Sequence, residues 1–167
     1  MTALELVDIK DFMNKLLGTD LMDHFLMPEA AITTCITHTI DGHMHPEFYG
    51  PADEEYEQLR QNDICPFSLV RPMCFDLMKG RRTPLSFHFV FQLSPENQQR
   101  TIERSGCRFR PEDISGMFLN LRYQDRRLTC TTGISYRSFS LDKSLEQEWD
   151  RLVMLFFKNH QIPFTPL

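Results

Sequence analysis

The sequence predicts an α+β fold. It expects one antiparallel sheet built from two β-α-β-β passes, with amphipathic helices over residues 9–17 and 142–159 packed on it. Three observations carry this. Leu141, Leu145, Trp149, Leu152, Val153, Phe156 and Phe157 form one apolar stripe at helical spacing, and Pro163 lies just beyond its end. Residues 116–124 and 128–139 are rich in β-forming residues and flank Asp125-Arg126-Arg127, the pattern of a hairpin. The order strand, polar cap, helix, glycine, β-rich segment occurs twice along the chain.

At 167 residues, 41% hydrophobic and 25% charged, the chain fits one globular domain spanning 1–167. The first element reads as a strand, Leu4 to Val7. Asp8 then caps a helix in which Ile9, Phe12, Met13, Leu16 and Leu17 recur at helical spacing, and Gly18 stops it. Residues 31–40 are β-branched and end at Asp41-Gly42, which reads as a strand running into a turn. Residues 50–66 are polar, acidic and bracketed by Gly and Pro, so an exposed excursion is expected there. Residues 68–80 admit two readings. Leu69, Met73 and Leu77 fit a helix, whereas Met73, Phe75 and Leu77 alternate as in a strand. The strand is favoured, because Gly80 to Pro84 would then turn it into Ser86–Leu93. Ser94-Pro95 opens the next helix, which runs to Gly106. The two passes suggest pseudo-repeat halves over 1–49 and 85–140.

This β-α-β-β order resembles the half-domain unit of DNA sliding clamps. The resemblance is one of element order and carries no motif, so at most it implies a clamp-like assembly role. Segments 12–26, 36–43 (ITHTIDGH), 71–87, 91–97 and 128–133 resemble a family of uncharacterised bacterial proteins, a domain of unknown function. That likeness extends over nearly the whole chain and implies a bacterial protein with no assigned activity.

Charge is unevenly placed. Residues 1–70 carry 3 Lys/Arg against 13 Asp/Glu, and residues 71–140 carry 12 against 6. The favoured reading of an acidic half beside a basic middle is that the two fold together and much of the field cancels. Otherwise it suits a second copy of the chain, a protein partner or a nucleic-acid backbone, the last being the least favoured. No run of ~18 apolar residues is present, so no membrane association is expected. The N-terminus shows no secretory pattern. Five cysteines with no C-x-x-C pair fit buried thiols in a reducing cytoplasm.

Two clusters could carry chemistry. Asp41, His43 and His45 lie in the run Ile40-Asp-Gly-His-Met-His-Pro46, and alternate imidazoles on an extended strand can chelate one divalent metal. The run resembles the D-x-H-x-H segment of metal-dependent amidohydrolases. That resemblance implies a (β/α)₈ barrel of ~250 residues, longer than this chain. Lys79, Arg81 and Arg82, with Arg71 upstream, form a basic loop suited to a polyanion. Phosphate-loop, dinucleotide and nucleophile-elbow fingerprints are absent, so no cofactor is expected. The favoured function is a non-catalytic binding or assembly module. The competing one is a small hydrolase using Asp41, His43 and His45.

Overall fold

The computed structural model describes residues 1–167, the side chain of Gln58 excepted. The elements follow in the order β1 (Ala3–Leu6), α1 (Ile9–Gly18), β2 (Phe25–Thr33), β3 (Thr37–Asp41), α2 (Glu54–Leu59) and α3 (Phe67–Met78). After them come β4 (Ser86–Leu93), α4 (Pro95–Ser105), β5 (Ile114–Gln124), β6 (Arg127–Tyr136), α5 (Ser144–Asn159) and β7 (Phe164–Pro166). The seven strands form one antiparallel sheet in the order β3-β2-β4-β5-β6-β1-β7, and the fold is α+β.

Local signals explain the helix ends. Asp8 accepts from the Asp11 amide at the start of α1, and Ser94 accepts from the Asn97 amide at the start of α4. Gly106 ends α4 at φ 68°, where a side chain would clash. Both β-α-β-β passes are present in chain order. In the sheet, however, β4, β5 and β6 are neighbours, whereas β1 sits across from β2, between β6 and β7. The two passes are therefore not equivalent half-units.

Strand β4 alternates strictly. Phe87, Phe89, Phe91 and Leu93 are buried, while Ser86, His88, Val90 and Gln92 are half-buried on the other face. The buried face receives the helices. Phe67 of α3 packs edge-on against Phe91 at 5.0 Å, and Phe12 of α1 meets Phe157 of α5 at 6.4 Å. Trp149 of α5 is 5% exposed, and its indole N–H donates to the Phe118 carbonyl at 2.9 Å. From Leu145 to Phe157 the α5 stripe packs in or against the core, as its spacing predicts, whereas Leu141 precedes the helix and is exposed.

Three expectations are corrected. Residues 67–78 form a helix and not a strand. The residues that decide it are Phe67, Val70 and Cys74, buried at helical spacing, while Phe75 of the alternating set is exposed. The strand over 31–40 is two strands joined by Thr34-Cys35-Ile36, with the hydroxyls of Thr33 and Thr37 paired at 3.0 Å across the turn. Asp41-Gly42 is not a hairpin turn. Gly42 is a close approach: a Cβ there would lie 1.8 Å from the Met27 carbonyl oxygen, and the Gly42 amide donates to Pro28 at 2.8 Å.

Candidate functional site

An open groove of about 770 Å³ is built from three parts of the chain. Helix α1 supplies Ile9, Met13 and Leu17, residues four apart on one face, with Lys10 and Asn14 beside them. Helix α3 supplies Phe75 and Met78 from its last turn, and the chain leaving it supplies Lys79, Gly80, Arg82, Thr83 and Pro84. The sheet closes the groove with Phe87 of β4 stacked on Tyr123 of β5, ring centres 5.0 Å apart, and with Arg126 from the β5–β6 turn.

The electrostatics of this groove are one-sided. Among the described residues that line it, Lys10, Lys79, Arg82 and Arg126 are cationic and none is a carboxylate. Only Lys79 of these four has a carboxylate within ion-pair range among the described residues, Asp76 at 2.8 Å, and its ammonium also sits 5.9 Å over the Phe75 ring. The chain carries a net charge of −5, so four cations free of lining carboxylates are not a reflection of overall composition.

Arg126 has an unusual backbone. Asp125 and Arg126 both lie in the left-handed region, at φ 52° and φ 62°, so the two-residue turn is of the primed type. Asparagine or aspartate followed by glycine is the usual filling of such a turn. Here a long cation occupies the glycine position, at a conformational cost that falls beside the groove.

The sequence-derived basic cluster divides. Lys79 and Arg82 line the groove, and Arg81 is exposed outside its lining. Arg71 is engaged elsewhere: its Nε and Nη2 donate to the two carboxylate oxygens of Asp23 at 2.9 and 3.0 Å, and both side chains are mostly buried. Lys10 and Arg126 were not among the expected residues. The signal for Lys10 was its position on the turn of α1 that follows the Asp8 cap. The signal for Arg126 was an arginine where a primed turn asks for glycine.

The histidine cluster is exposed and locally paired. Asp41 accepts from both the amide and Nδ1 of His43, at 3.0 and 2.6 Å, and these bonds hold its carboxyl below the usual range. His45 Nδ1 lies instead 3.4 Å from Glu47. Among the described residues, no three His, Cys, Asp or Glu side chains converge to hold a metal ion. Asp41 and His43 are brought together, and His45 turns to a different carboxylate.

The three buried thiols, Cys65, Cys74 and Cys130, are held neutral. Burial pushes Cys74 up to about 12 and raises Cys65 and Cys130 as well, which is the reverse of what a nucleophilic thiolate requires. Among the described residues, no helix is long and apolar enough to cross a membrane.

Comparison with curated proteins and with solved structures finds no match. Residues 15–165 match the model of a family of unknown function, DUF5721, and the chain belongs to that family.

Proposed function

We propose that this protein is a non-catalytic binding module, and that its ligand is an amphipathic anion: a carboxylate or phosphate group beside an apolar or aromatic body. The observation that carries this is the groove between α1 and α3, whose apolar floor is rimmed by Lys10, Lys79, Arg82 and Arg126 with no lining carboxylate. The floor offers burial for the apolar part of a ligand, and the exposed cations offer attraction to the charged part. The left-handed conformation of Arg126, which favours glycine over any residue with a side chain, supports the same reading, since strain concentrates where a side chain has a task. Five free cysteines, Cys35 among them in an exposed turn, fit a protein working in the reducing cytoplasm of a bacterium. The clamp-like assembly role gains no support from the strand order, because β1 and β2 are not neighbours as β4 and β5 are.

The test is a fluorescence titration with anilinonaphthalene sulfonate, an aromatic body bearing one anion. The native protein binds it with affinity that falls as salt rises, because the cations are exposed and screened. Lys79→Ser with Arg82→Ser weakens binding at least about tenfold, equivalent to the loss of ~1.4 kcal/mol. A single-stranded oligonucleotide, whose charge lies along an outer backbone, competes poorly. No binding by the native protein, or binding indifferent to both substitutions, contradicts the proposal. Competition by the oligonucleotide at low salt would replace it with a nucleic-acid interface.

A further inference from the structure

Helix α3 presents an uncovered face. Phe67, Val70 and Cys74 are buried and Phe75 lines the groove, whereas Leu69 and Met73, four apart on another face, are 41% and 51% exposed, with Pro72 exposed between them. An apolar stripe on a surface helix is unusual unless something covers it.

The two ends of α3 carry opposite charge. Residues 46–62 leave and rejoin the fold where the Met44 amide donates to Asp63 at 2.8 Å, so this excursion is anchored at the N-terminal end of α3. It carries Glu47, Asp53, Glu54, Glu55 and Glu57 against Arg60 alone, and it also displays Tyr49 stacked on Tyr56 at 5.0 Å. Past the C-terminal end come Lys79, Arg81 and Arg82, of which Lys79 pairs with Asp76 of the last turn and the two arginines are without a carboxylate in ion-pair range among the described residues. With 12 residues at ~1.5 Å each, α3 holds these ends roughly 18 Å apart. Among the described residues, no ion pair joins the excursion to the basic end.

We infer that the protein forms a two-fold homodimer in which the outward face of α3 packs antiparallel against the same face of a second copy. This face is self-complementary. Antiparallel packing brings Leu69 and Met73 of each copy together in the middle of the interface. It also sets the acidic end of each helix against the basic end of the other, so both attractions form twice in one symmetric contact. A parallel pairing would instead oppose like charges at each end. The acidic excursion and the basic loop, which α3 holds apart within one chain, meet across the two-fold axis. This inference goes beyond the groove's ligand, because Arg81 and the Leu69–Met73 stripe lie outside the groove lining.

The experiment is sedimentation equilibrium on the full chain, run alongside the anilinonaphthalene sulfonate titration, with circular dichroism to confirm folding. The native protein sediments as a dimer at micromolar concentration, and high salt weakens the dimer. Met73→Glu gives a monomer that stays folded, since the residue is exposed. Arg81→Glu weakens the dimer at least about tenfold. Glu54→Lys with Glu55→Lys, which cancels the net charge of the excursion at two exposed positions, weakens the dimer as well, and both variants keep the native circular dichroism, which a merely destabilised fold would not do. A native monomer at all concentrations overturns the inference. So does a dimer indifferent to Met73→Glu, which would place the contact on another face. In either case retained probe binding leaves the groove proposal standing, whereas lost probe binding with an intact dimer removes the groove proposal alone.

Discussion

Arg71 and Asp23 meet through two parallel hydrogen bonds, 2.9 and 3.0 Å long, that tie the middle of α3 to the chain between α1 and β2. The Arg71 Nη1 also reaches the Leu17 carbonyl near the end of α1, at 3.5 Å. The pair therefore sets how α3 lies on the fold, and with it the separation of the two helices that wall the groove. Arg71→Ala leaves a mostly buried Asp23 without its partner. The expected loss is about 1.5–3 kcal/mol in urea denaturation, the range for hydrogen bonds to charged groups. Arg71→Lys recovers only part of it, because an ammonium cannot reproduce the two-pronged contact. An unchanged denaturation midpoint for the alanine variant would show that the pair does not hold the helix.

Gly42 is indispensable for a different reason. A single methyl at this position meets the Met27 carbonyl oxygen at 1.8 Å and its carbonyl carbon at 2.9 Å, and both are backbone atoms that cannot swing aside. The same stretch is stitched by the Cys65 amide donating to Gly42 and the Met27 amide donating to Cys65, at 2.8 and 3.0 Å. Gly42→Ala is expected to cost more than about 3 kcal/mol, the upper end for overpacked sites. Thermal denaturation checks this. A variant as stable as the native chain would mean that β2 and the 41–44 segment are not in this close approach.

Arg126 is expected to trade stability for binding. At φ 62° glycine is free of the Cβ clash that arginine bears, so Arg126→Gly should stabilise the protein by roughly 0.5–1 kcal/mol, less whatever the freer unfolded chain takes back. The same change removes one of four groove cations and weakens binding of the anionic probe. Stability and affinity moving in opposite directions is the distinctive outcome. If both fall, the arginine is structural and the groove argument loses its strongest single residue.

Tyr136 gives the pH dependence. Its hydroxyl is buried with no hydrogen-bond partner among the described residues. Burial, and then the carboxylates of Glu146 and Asp142, push it from 10.0 up to about 12. The unfolded chain thus releases this proton first as pH rises. The contribution of Tyr136 to stability is whole below pH 10 and declines between 10 and 12. Tyr136→Phe removes that decline. At neutral pH it is neutral or slightly stabilising, because it deletes an unpaired buried polar atom. Denaturation series for both proteins across the alkaline range, with tyrosinate absorbance as a monitor, would contradict this if their slopes coincide.

How far the fold was legible depended on where the deciding residues stood. Helix α5 was readable because Leu145, Trp149, Val153 and Phe157 bury one stripe, and α4 because Ser94, Pro95 and Gly106 mark both ends. Helix α3 was misread because its exposed face is itself apolar. Met73, Phe75 and Leu77 mimic strand alternation, while the burial of Cys74 is invisible without the sheet beneath it. Gly42 next to Asp41 imitated a turn, since sequence alone does not distinguish a glycine needed for rotation from one needed for contact. Strand β7, three residues pairing with β1, is too short to leave a pattern. The loop of Lys79 and Arg82 was visible as a charge cluster. Its apolar floor was not, because Met13, Phe75 and Phe87 are brought together only by the packing of α1, α3 and β4.

The central claim, that an amphipathic anion sits between α1 and α3, is tested most directly by nuclear magnetic resonance of the methionine methyl groups during titration with anilinonaphthalene sulfonate. The nine methionines are spread through the fold. Met13 and Met78 line the groove, whereas Met22, Met27 and Met117 are fully buried in the core. The Met13 and Met78 methyls are expected to shift progressively, because the aromatic probe lies against them, while the three core methyls stay in place. Shifts confined to other methionines, or none at Met13 and Met78 at saturating probe, would contradict it.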